Sequence, residues 1–279
     1  MSVRIIIDST MDMPAAVKSR TIVVPLTVCF GKEEYIDGVT IDHKTFYEKL
    51  IESDVLPTTS QATPAAFDEV FRQVREAGDT AVVLTISARL SGTYQSAAIA
   101  AEDYPEVCVV DSQSTAIGAG ILAQLALSLA DEGMSAEAIA ARMEQEREKV
   151  CIIAMLDTLE YLKKGGRISK AVAFAGGLLS IKPVVSLEDG EIKILGKARG
   201  SKQGNNLLVQ EIEKAGGVDF KKPLLLGYTG LSDVLLQKYI ADSKTLWENG
   251  TDKLETVTIG SVVGTHAGPG AIAVAFFKK

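Results

Sequence analysis

The sequence predicts an α/β protein with a mainly parallel sheet in its first half and an α+β domain in its second half. In the first half, short apolar runs such as VRIIID and TAVVLTI alternate with segments of helical spacing, which is typical of parallel strands covered by helices. In the second half, IKPVVSLEDGEIKILGKA predicts a hairpin that turns at Asp189 and Gly190. The pattern changes near Val150, so we predict one domain at residues 1–150 and another at residues 151–279.

The individual elements follow from apolar runs, helical spacing and end signals. Thr63 before Pro64 and Ser135 before an amphipathic run fit helix starts. In the first half we expect strands at VRIIID, TIVVPLTVCF, TAVVLTI and VCVVD, and helices at DHKTFYEKLIES, FDEVFRQVREAG, residues 94–105, about 119–130 and SAEAIAARMEQEREKV. In the second half we expect a strand and a short basic helix in CIIAMLDTLEYLKKGGRIS, the hairpin, a helix over about 203–216, and strands in PLLLGYTG and ETVTIGSVVGTHAGPGAIAVAFF.

Composition limits the class of protein. The chain of 279 residues is 47% hydrophobic and 23% charged, as expected for a soluble globular protein with a full core. Its net charge of -7 argues against a nucleic-acid surface. We expect no signal peptide, no membrane span and a cytoplasmic location. Three widely spaced cysteines, Cys29, Cys108 and Cys151, fit buried thiols better than disulfides, and two histidines exclude a histidine-rich metal centre.

Hydroxyl-rich segments recur where strands of the first half end. They are Asp8-Ser9-Thr10, Thr58-Thr59-Ser60-Gln61, Ser91-Gly92-Thr93 and Asp111-Ser112-Gln113-Ser114-Thr115. Ligands of open parallel sheets bind outside the carboxyl ends of the strands, and helix starts there offer free N–H groups. At one of these starts Gly92 lets a ligand approach the backbone, while Ser91 and Thr93 add hydroxyls. Many neutral donors and few cations suit a carboxylate better than a triphosphate.

Two alternatives to a carboxylate site stay open for Ser91. Most serines before helices are only caps, and this stretch taken alone favours a cap. Ser91 could also be a nucleophile of a serine hydrolase or acyltransferase, with His266 as its base. The G-x-S-x-G elbow of such enzymes is absent, and His266 is expected in a glycine-rich loop, where a structural or ligand-contacting role is equally consistent. His43 is expected at the surface. No G-x-x-x-x-G-K-S/T phosphate loop is present, which argues against a nucleotide-dependent catalyst.

Two basic segments and one apolar segment stand out in the second half. LEYLKKGGRIS carries Lys163, Lys164 and Arg167, and GKARGSKQG carries Lys197, Arg199 and Lys202. Each is either a solvated surface or a docking patch for an anionic group or a partner protein. Between them, AVAFAGGLLSIKPVV is either core or the wall of an apolar tunnel.

Seven segments together resemble one known family. They are IIIDST, PTTSQATP, LSGTYQSA, VVDSQSTAIGAG, LEYLKKGGRIS, IKPVVSLEDGEI and GTHAGPGAIAVAF, in the expected order and over essentially the whole chain. On these segments the sequence resembles the DegV family, whose members include the fatty-acid-binding subunits of fatty acid kinase. The resemblance implies two α/β domains with a long-chain fatty acid buried in an apolar tunnel between them.

The resemblance also implies which residues hold the carboxylate. In this numbering they are Thr59, or its neighbours Thr58 and Ser60, together with Ser91 and the nearby backbone of Gly92. Burial of a long acyl chain then supplies the affinity, and the carboxylate needs hydrogen-bond partners because an unpaired buried charge is very costly.

The resemblance to family members that work with a kinase implies further site residues and a biological role for this chain. Their histidine corresponds to His266, which joins the carboxylate-binding residues. Their arginine corresponds to Arg199, which with Arg167 is a candidate for contact with the partner or the phosphate. The implied role is a non-catalytic lipid carrier of bacterial phospholipid metabolism, which presents its fatty acid to a separate kinase for acyl phosphate formation. The expected ligand is the fatty acid alone, with no cofactor, metal or nucleic acid. A third alternative is a regulatory protein that holds another small acid.

Overall fold

The computed structural model describes residues 2–168, 181–248, 250–251 and 253–279. Its strands are β1 (Val3–Asp8), β2 (Ile22–Val24), β3 (Thr27–Phe30), β4 (Glu33–Ile36), β5 (Thr58–Ser60), β6 (Thr80–Thr85), β7 (Val107–Asp111), β8 (Val150–Met155), β9 (Ile181–Glu188), β10 (Glu191–Arg199), β11 (Leu225–Tyr228), β12 (Thr256–Thr258) and β13 (Ile272–Phe277). Its helices are α1 (Ala15–Lys18), α2 (His43–Glu52), α3 (Pro64–Glu76), α4 (Thr93–Ala101), α5 (Ala116–Asp131), α6 (Ala136–Glu146), α7 (Glu160–Lys164), α8 (Gly200–Lys214), α9 (Val234–Asp242), α10 (Lys244–Trp247) and α11 (Ser261–Ala267). Residues 171–180 of the predicted tunnel wall lie outside the described residues.

A four-stranded parallel sheet forms the centre of the first half, in the order β2-β1-β6-β7. Its strands are apolar on both faces because helices cover both. Ile5 and Ile7 of β1 pack in one core with Ile121 of α5, while Ile6 packs in another with Phe71 of α3. The predicted α/β class and the parallel sheet are therefore confirmed.

The predicted helix starts in this half are also confirmed. The Thr63 hydroxyl accepts a hydrogen bond from the Ala66 N–H at 3.2 Å, with Pro64 as the first residue of α3. The Ser135 hydroxyl likewise accepts the Ala138 N–H at 3.3 Å at the start of α6. Both side chains satisfy donors that the first helical turn leaves free.

The single strand expected at TIVVPLTVCF is wrong. Pro25 interrupts it, since proline has no N–H to give to a ladder, and the Leu26 N–H donates instead to the Ser9 hydroxyl at 3.1 Å. The segment therefore splits into β2 in the parallel sheet and β3 in a separate antiparallel sheet with the order β4-β3-β5. Thr59, expected in a loop, lies on β5 opposite Val28 of β3.

The second half contains a six-stranded sheet in the order β10-β9-β8-β13-β11-β12, antiparallel except between β11 and β12. The predicted hairpin is confirmed: β9 pairs with β10, and Asp189 and Gly190 between them have φ of 51° and 77°, as a type I′ turn requires. Its tip reaches the first half, where the Ser87 hydroxyl donates to the Gly190 carbonyl at 2.8 Å.

One apolar core connects the two larger sheets. Ile7 of β1, Ile121 of α5, Ile152 of β8 and Phe277 of β13 belong to the same cluster of buried side chains. The division into domains at residues 1–150 and 151–279 stays a prediction. Within the described ranges, no helix is long and apolar enough to cross a bilayer.

Candidate functional site

A cavity lies between the parallel sheet and the six-stranded sheet. It contains about 930 Å³ of empty space, including its opening to solvent. Most of its wall is aliphatic, and both halves of the chain contribute. Examples are Leu26, Ile86 and Leu90 from the first half and Ile152, Ala154 and Ala273 from the second.

Five of the seven predicted site residues line this cavity: Thr59, Ser60, Ser91, Arg167 and His266. We call four of them the polar cluster (Thr59, Ser91, Arg167 and His266), because Thr59 contacts His266 and Arg167 contacts the backbone next to Ser91. Thr59 Oγ1 lies 3.0 Å from His266 Nε2. Hydroxyls, an imidazole and a guanidinium thus lie in a wall that is mainly aliphatic.

Arg167 donates hydrogen bonds to two backbone carbonyls near the polar cluster. Its Nε donates to the carbonyl of Leu90, next to Ser91, at 3.2 Å, and its Nη1 donates to the carbonyl of Gly165 at 2.7 Å. Burial lowers the pKa of the guanidinium below its ordinary value, although the group stays charged at neutral pH. Two backbone carbonyls therefore hold a positive charge beside the cavity.

His266 lies on α11 and not in the loop that the sequence predicted. Its Nδ1 is buried and has no hydrogen-bond partner among the described residues. A Cβ on Gly165 would lie only 2.2 Å from that Nδ1, so glycine is required where α7 ends against α11. Burial, and then the charge of Arg167, lower the pKa of His266 from 6.5 to about 4. The imidazole is therefore neutral at neutral pH.

Ser91 and Gly92 precede α4, which begins at Thr93. Ser91 Oγ lies 2.9 Å from Thr93 Oγ1 and accepts the Thr93 N–H at 3.3 Å, so the hydroxyl that lines the cavity also contacts the helix start. Gly92 is covered by Gln61, whose Nε2 donates to the Gly92 carbonyl at 3.3 Å and to the Ser96 hydroxyl at 2.9 Å. A Cβ on Gly92 would lie 2.1 Å from Gln61 Oε1, so this close approach requires glycine.

The geometry does not pair Ser91 with His266 as a nucleophile and its base. His266 Nε2 contacts Thr59, Ser91 Oγ contacts Thr93, and no hydrogen bond joins Ser91 to His266 in the part of the chain that the structure describes. An imidazole with a pKa of about 4 is also a weak general base at neutral pH. No observation here favours the hydrolase alternative.

The remaining predicted residues lie away from the cavity wall. Arg199 is exposed at the end of β10, and Lys163 and Lys164 are exposed on α7. Thr58 is exposed on β5, outside the wall. His43, expected at the surface, is half-buried near Gly260.

The hydroxyl-rich segments have different roles. The Asp8 carboxylate is fully buried: it accepts the Thr10 N–H at 2.9 Å and hydroxyl at 2.5 Å through Oδ1, and the Ile86 N–H at 2.6 Å through Oδ2. The Asp8-Ser9-Thr10 segment thus holds the backbone at Ile86, at the start of the chain that leads to Ser91. The later segment contributes Thr115 to the cavity wall, a residue whose role the sequence did not single out.

Among the described residues, no group of three or more histidine, cysteine, aspartate or glutamate side chains is arranged to hold a metal ion. The three cysteines are free thiols, each half-buried. The described part of the cavity wall therefore offers hydrogen-bonding groups, the positive charge of Arg167 and apolar surface for binding.

The fold and the site define an α/β protein that encloses an apolar cavity with one polar cluster in its wall. The model of the DegV family matches residues 2–279, and the chain belongs to this family. A DegV domain-containing protein of Caldanaerobacter subterraneus is 33% identical, over 99% of this chain and 99% of its own length.

Solved structures show the same fold. A DegV family protein from Thermus thermophilus, described by its fatty acid binding, aligns with a TM-score of 0.88 and 32% identity over 99% of this chain and all (100%) of that one. A stearic acid-binding protein from Eubacterium ventriosum aligns with a TM-score of 0.87 and 28% identity over 100% of this chain and 99% of that one. The family predicted from the seven sequence segments is confirmed.

Proposed function

We propose that this chain binds a long-chain fatty acid in its cavity, with the carboxylate at the polar cluster and the acyl chain along the aliphatic wall. The observation that carries the proposal is a mainly aliphatic cavity wall that includes Thr59, Ser91, Arg167 and His266, with Thr59 in contact with His266. The fatty acids described for the Thermus thermophilus and Eubacterium ventriosum proteins support it.

The chemistry of the cavity matches both ends of such a ligand. Burial of about sixteen methylene groups contributes on the order of 13 kcal/mol, before the costs of association. The carboxylate needs donors, which the hydroxyls of Thr59, Ser60 and Ser91 and the backbone near Gly92 supply, while Arg167 balances its charge. A Thr59 hydroxyl that donates to the carboxylate must accept from His266, so the bound state requires the tautomer with hydrogen on Nε2.

The chain itself acts in this proposal as a carrier and not as a catalyst. Its sequence has no G-x-x-x-x-G-K-S/T phosphate loop. A separate fatty acid kinase would supply ATP and transfer the phosphate to the presented carboxylate. Arg167 beside the cavity and the exposed Arg199 are the side chains we assign to the phosphate and to the partner.

The binding step is tested with delipidated protein, stearate and stearyl alcohol. Thr59→Val removes the hydroxyl at the cavity, and Thr58→Val makes the same change on the same strand outside the cavity wall. We expect Thr59→Val to raise the Kd for stearate at least tenfold and to change the Kd for stearyl alcohol less than threefold. Thr58→Val should bind both ligands as the wild type does. If the wild-type protein shows no saturable binding of stearate, the proposal is contradicted.

The carrier step is tested by adding a bacterial fatty acid kinase, ATP and Mg²⁺ to the loaded protein. Acyl phosphate should form only when both proteins are present. Arg199→Ala should lower the rate of its formation and leave the stearate Kd unchanged, because Arg199 lies outside the cavity. Acyl phosphate formation that does not depend on this protein would refute the carrier role.

A further inference from the structure

Asp12 lies in the buried segment between β1 and α1 and is not part of the cavity wall. It is only 2% exposed. Its backbone N–H donates to the carbonyl of Ala116, the first residue of α5, at 3.2 Å. Its Oδ1 accepts the N–H of Gly260, the residue before α11, at 3.1 Å. One residue therefore contacts the starts of two helices.

Both of these helix starts contribute to the cavity. Thr115 and Ala116 at the start of α5 line it, and so do Val262 and His266 of α11. The Thr59 contact of His266 depends on where α11 lies, because His266 is carried on that helix. Asp12 is thus placed to act on the polar cluster through α11.

Glycines let Asp12 approach both helices. A Cβ on Gly120 of α5 would lie 2.1 Å from the Asp12 carbonyl oxygen, so the backbone of Asp12 packs directly on α5. A Cβ on Gly260 would lie 3.1 Å from Asp12 Oδ1. The Tyr47 hydroxyl adds a second attachment by donating to the carbonyl of Ile259 at 2.8 Å. The start of α11 is therefore held by two side chains of the first half.

The surroundings of Asp12 do little to stabilise its charge. The charged and titratable groups that act on it or lie against it come from four neighbouring elements: Asp8 of β1, Lys18 of α1, Asp37 after β4, and His43 and Tyr47 of α2. Its Oδ2 is buried without a partner among the described residues. Burial is the main cause that raises its pKa from 3.8 to about 7. Since such a carboxyl is costly to bury, simple packing does not explain it.

We propose that Asp12 is a positioning residue that ties the start of α11 to the start of α5 and thereby holds His266 against Thr59 at the cavity. Its role in ligand binding rests on the proposed function. Its role in placing His266 does not, because the position of that ring can be measured in the empty protein.

The experiment compares Asp12→Ala and Asp12→Asn with Asp79→Ala. Asp79 is the matched control, because it is also buried and accepts a backbone N–H, that of Ser2 at 2.7 Å, but lies away from the cavity. The readouts are the stearate Kd and the pKa of His266 from NMR, with the two histidine signals assigned through His43→Gln.

Asp12→Ala should weaken stearate at least tenfold and raise the pKa of His266 from about 4 towards 6.5, because the loosened α11 exposes the ring. Asp12→Asn retains the Oδ1 acceptor and should restore both values. Asp79→Ala should change neither. A folded Asp12→Ala variant with wild-type stearate affinity and wild-type His266 pKa would overturn the inference.

Two additional experiments test the inference if Asp12→Ala does not fold. Asp12→Ser, whose shorter side chain does not reach Gly260, replaces Asp12→Ala if circular dichroism shows the alanine variant unfolded. If neither folds, hydrogen exchange on the wild type decides: stearate should slow the Gly260 amide more than the Ser2 amide, and equal effects would overturn the inference. If the wild type binds no stearate, the proposed function fails while the His266 pKa still tests Asp12.

Discussion

His266 makes the free energy of unfolding depend on pH in a way that the structure specifies. Its pKa is about 4 in the folded protein, against 6.5 in the unfolded chain. At pH 5 the unfolded chain has nearly one proton bound to this ring, whereas the folded protein has about a tenth of one. Stability contributed by the neutral ring is therefore lost as the pH falls, and the difference integrates to about 2 kcal/mol.

Asp12 opposes this trend, so the wild type alone does not reveal it. The raised pKa of Asp12, about 7 against 3.8, makes the folded protein take up a proton first, and stability from this group increases as the pH falls. A comparison of the wild type with His266→Gln cancels the contribution of Asp12. The loss of the Thr59 contact in the variant does not depend on pH in this range and also cancels.

The assay is urea denaturation of delipidated wild type and His266→Gln at pH 7 and pH 5. The wild type should lose about 2 kcal/mol more than the variant on going from pH 7 to pH 5. Asp79→Asn is the control: the pKa of Asp79 is lowered to about 2, chiefly by hydrogen bonds from Ser2, so its removal should leave the profile above pH 5 unchanged. Parallel pH profiles for wild type and His266→Gln would refute the assigned burial of the imidazole.

Three further predictions concern a close backbone approach, the width of the cavity and a buried ion pair. Gly92→Ala forces Gln61 away from the Gly92 carbonyl, and we expect a loss of about 1 kcal/mol in denaturation and a several-fold weaker stearate Kd; an unchanged variant would contradict the close approach. Ala273→Leu narrows the cavity, and the Kd for stearate should rise at least fivefold more than the Kd for laurate. An equal rise for both ligands would contradict the placement of the acyl chain. Glu146→Ala leaves Lys222, 2.5 Å from the buried carboxylate, without this partner and should cost about 3 kcal/mol in thermal or urea unfolding; a loss below about 0.5 kcal/mol would refute its importance.

The sequence predicts most elements of the sheets because local patterns specify them. Apolar runs buried on both faces identify β1 and β6, and the Asp189-Gly190 turn identifies the hairpin. The break at Pro25 was missed since the apolar pattern continues across it, and only the tertiary bond from Leu26 to Ser9 shows that the chain changes sheets.

The site is predictable where its chemistry lies in short segments. Thr59, Ser91 and His266 were found from hydroxyl-rich and glycine-rich segments and from the family resemblance. The contact between Thr59 and His266 spans 207 positions of sequence, so no local pattern indicates it. Asp12 was missed for the same reason, since its partner Gly260 lies 248 positions away. The helix that carries His266 was missed because glycines surround it.

The most direct test of the central claim is mass spectrometry of the purified protein, first native and then denatured. The account predicts one long-chain fatty acid per chain, seen as a mass difference in the native spectrum and as the free acid after denaturation. A protein that purifies empty and takes up no stearate, or that holds a short polar acid, would contradict the fatty-acid function.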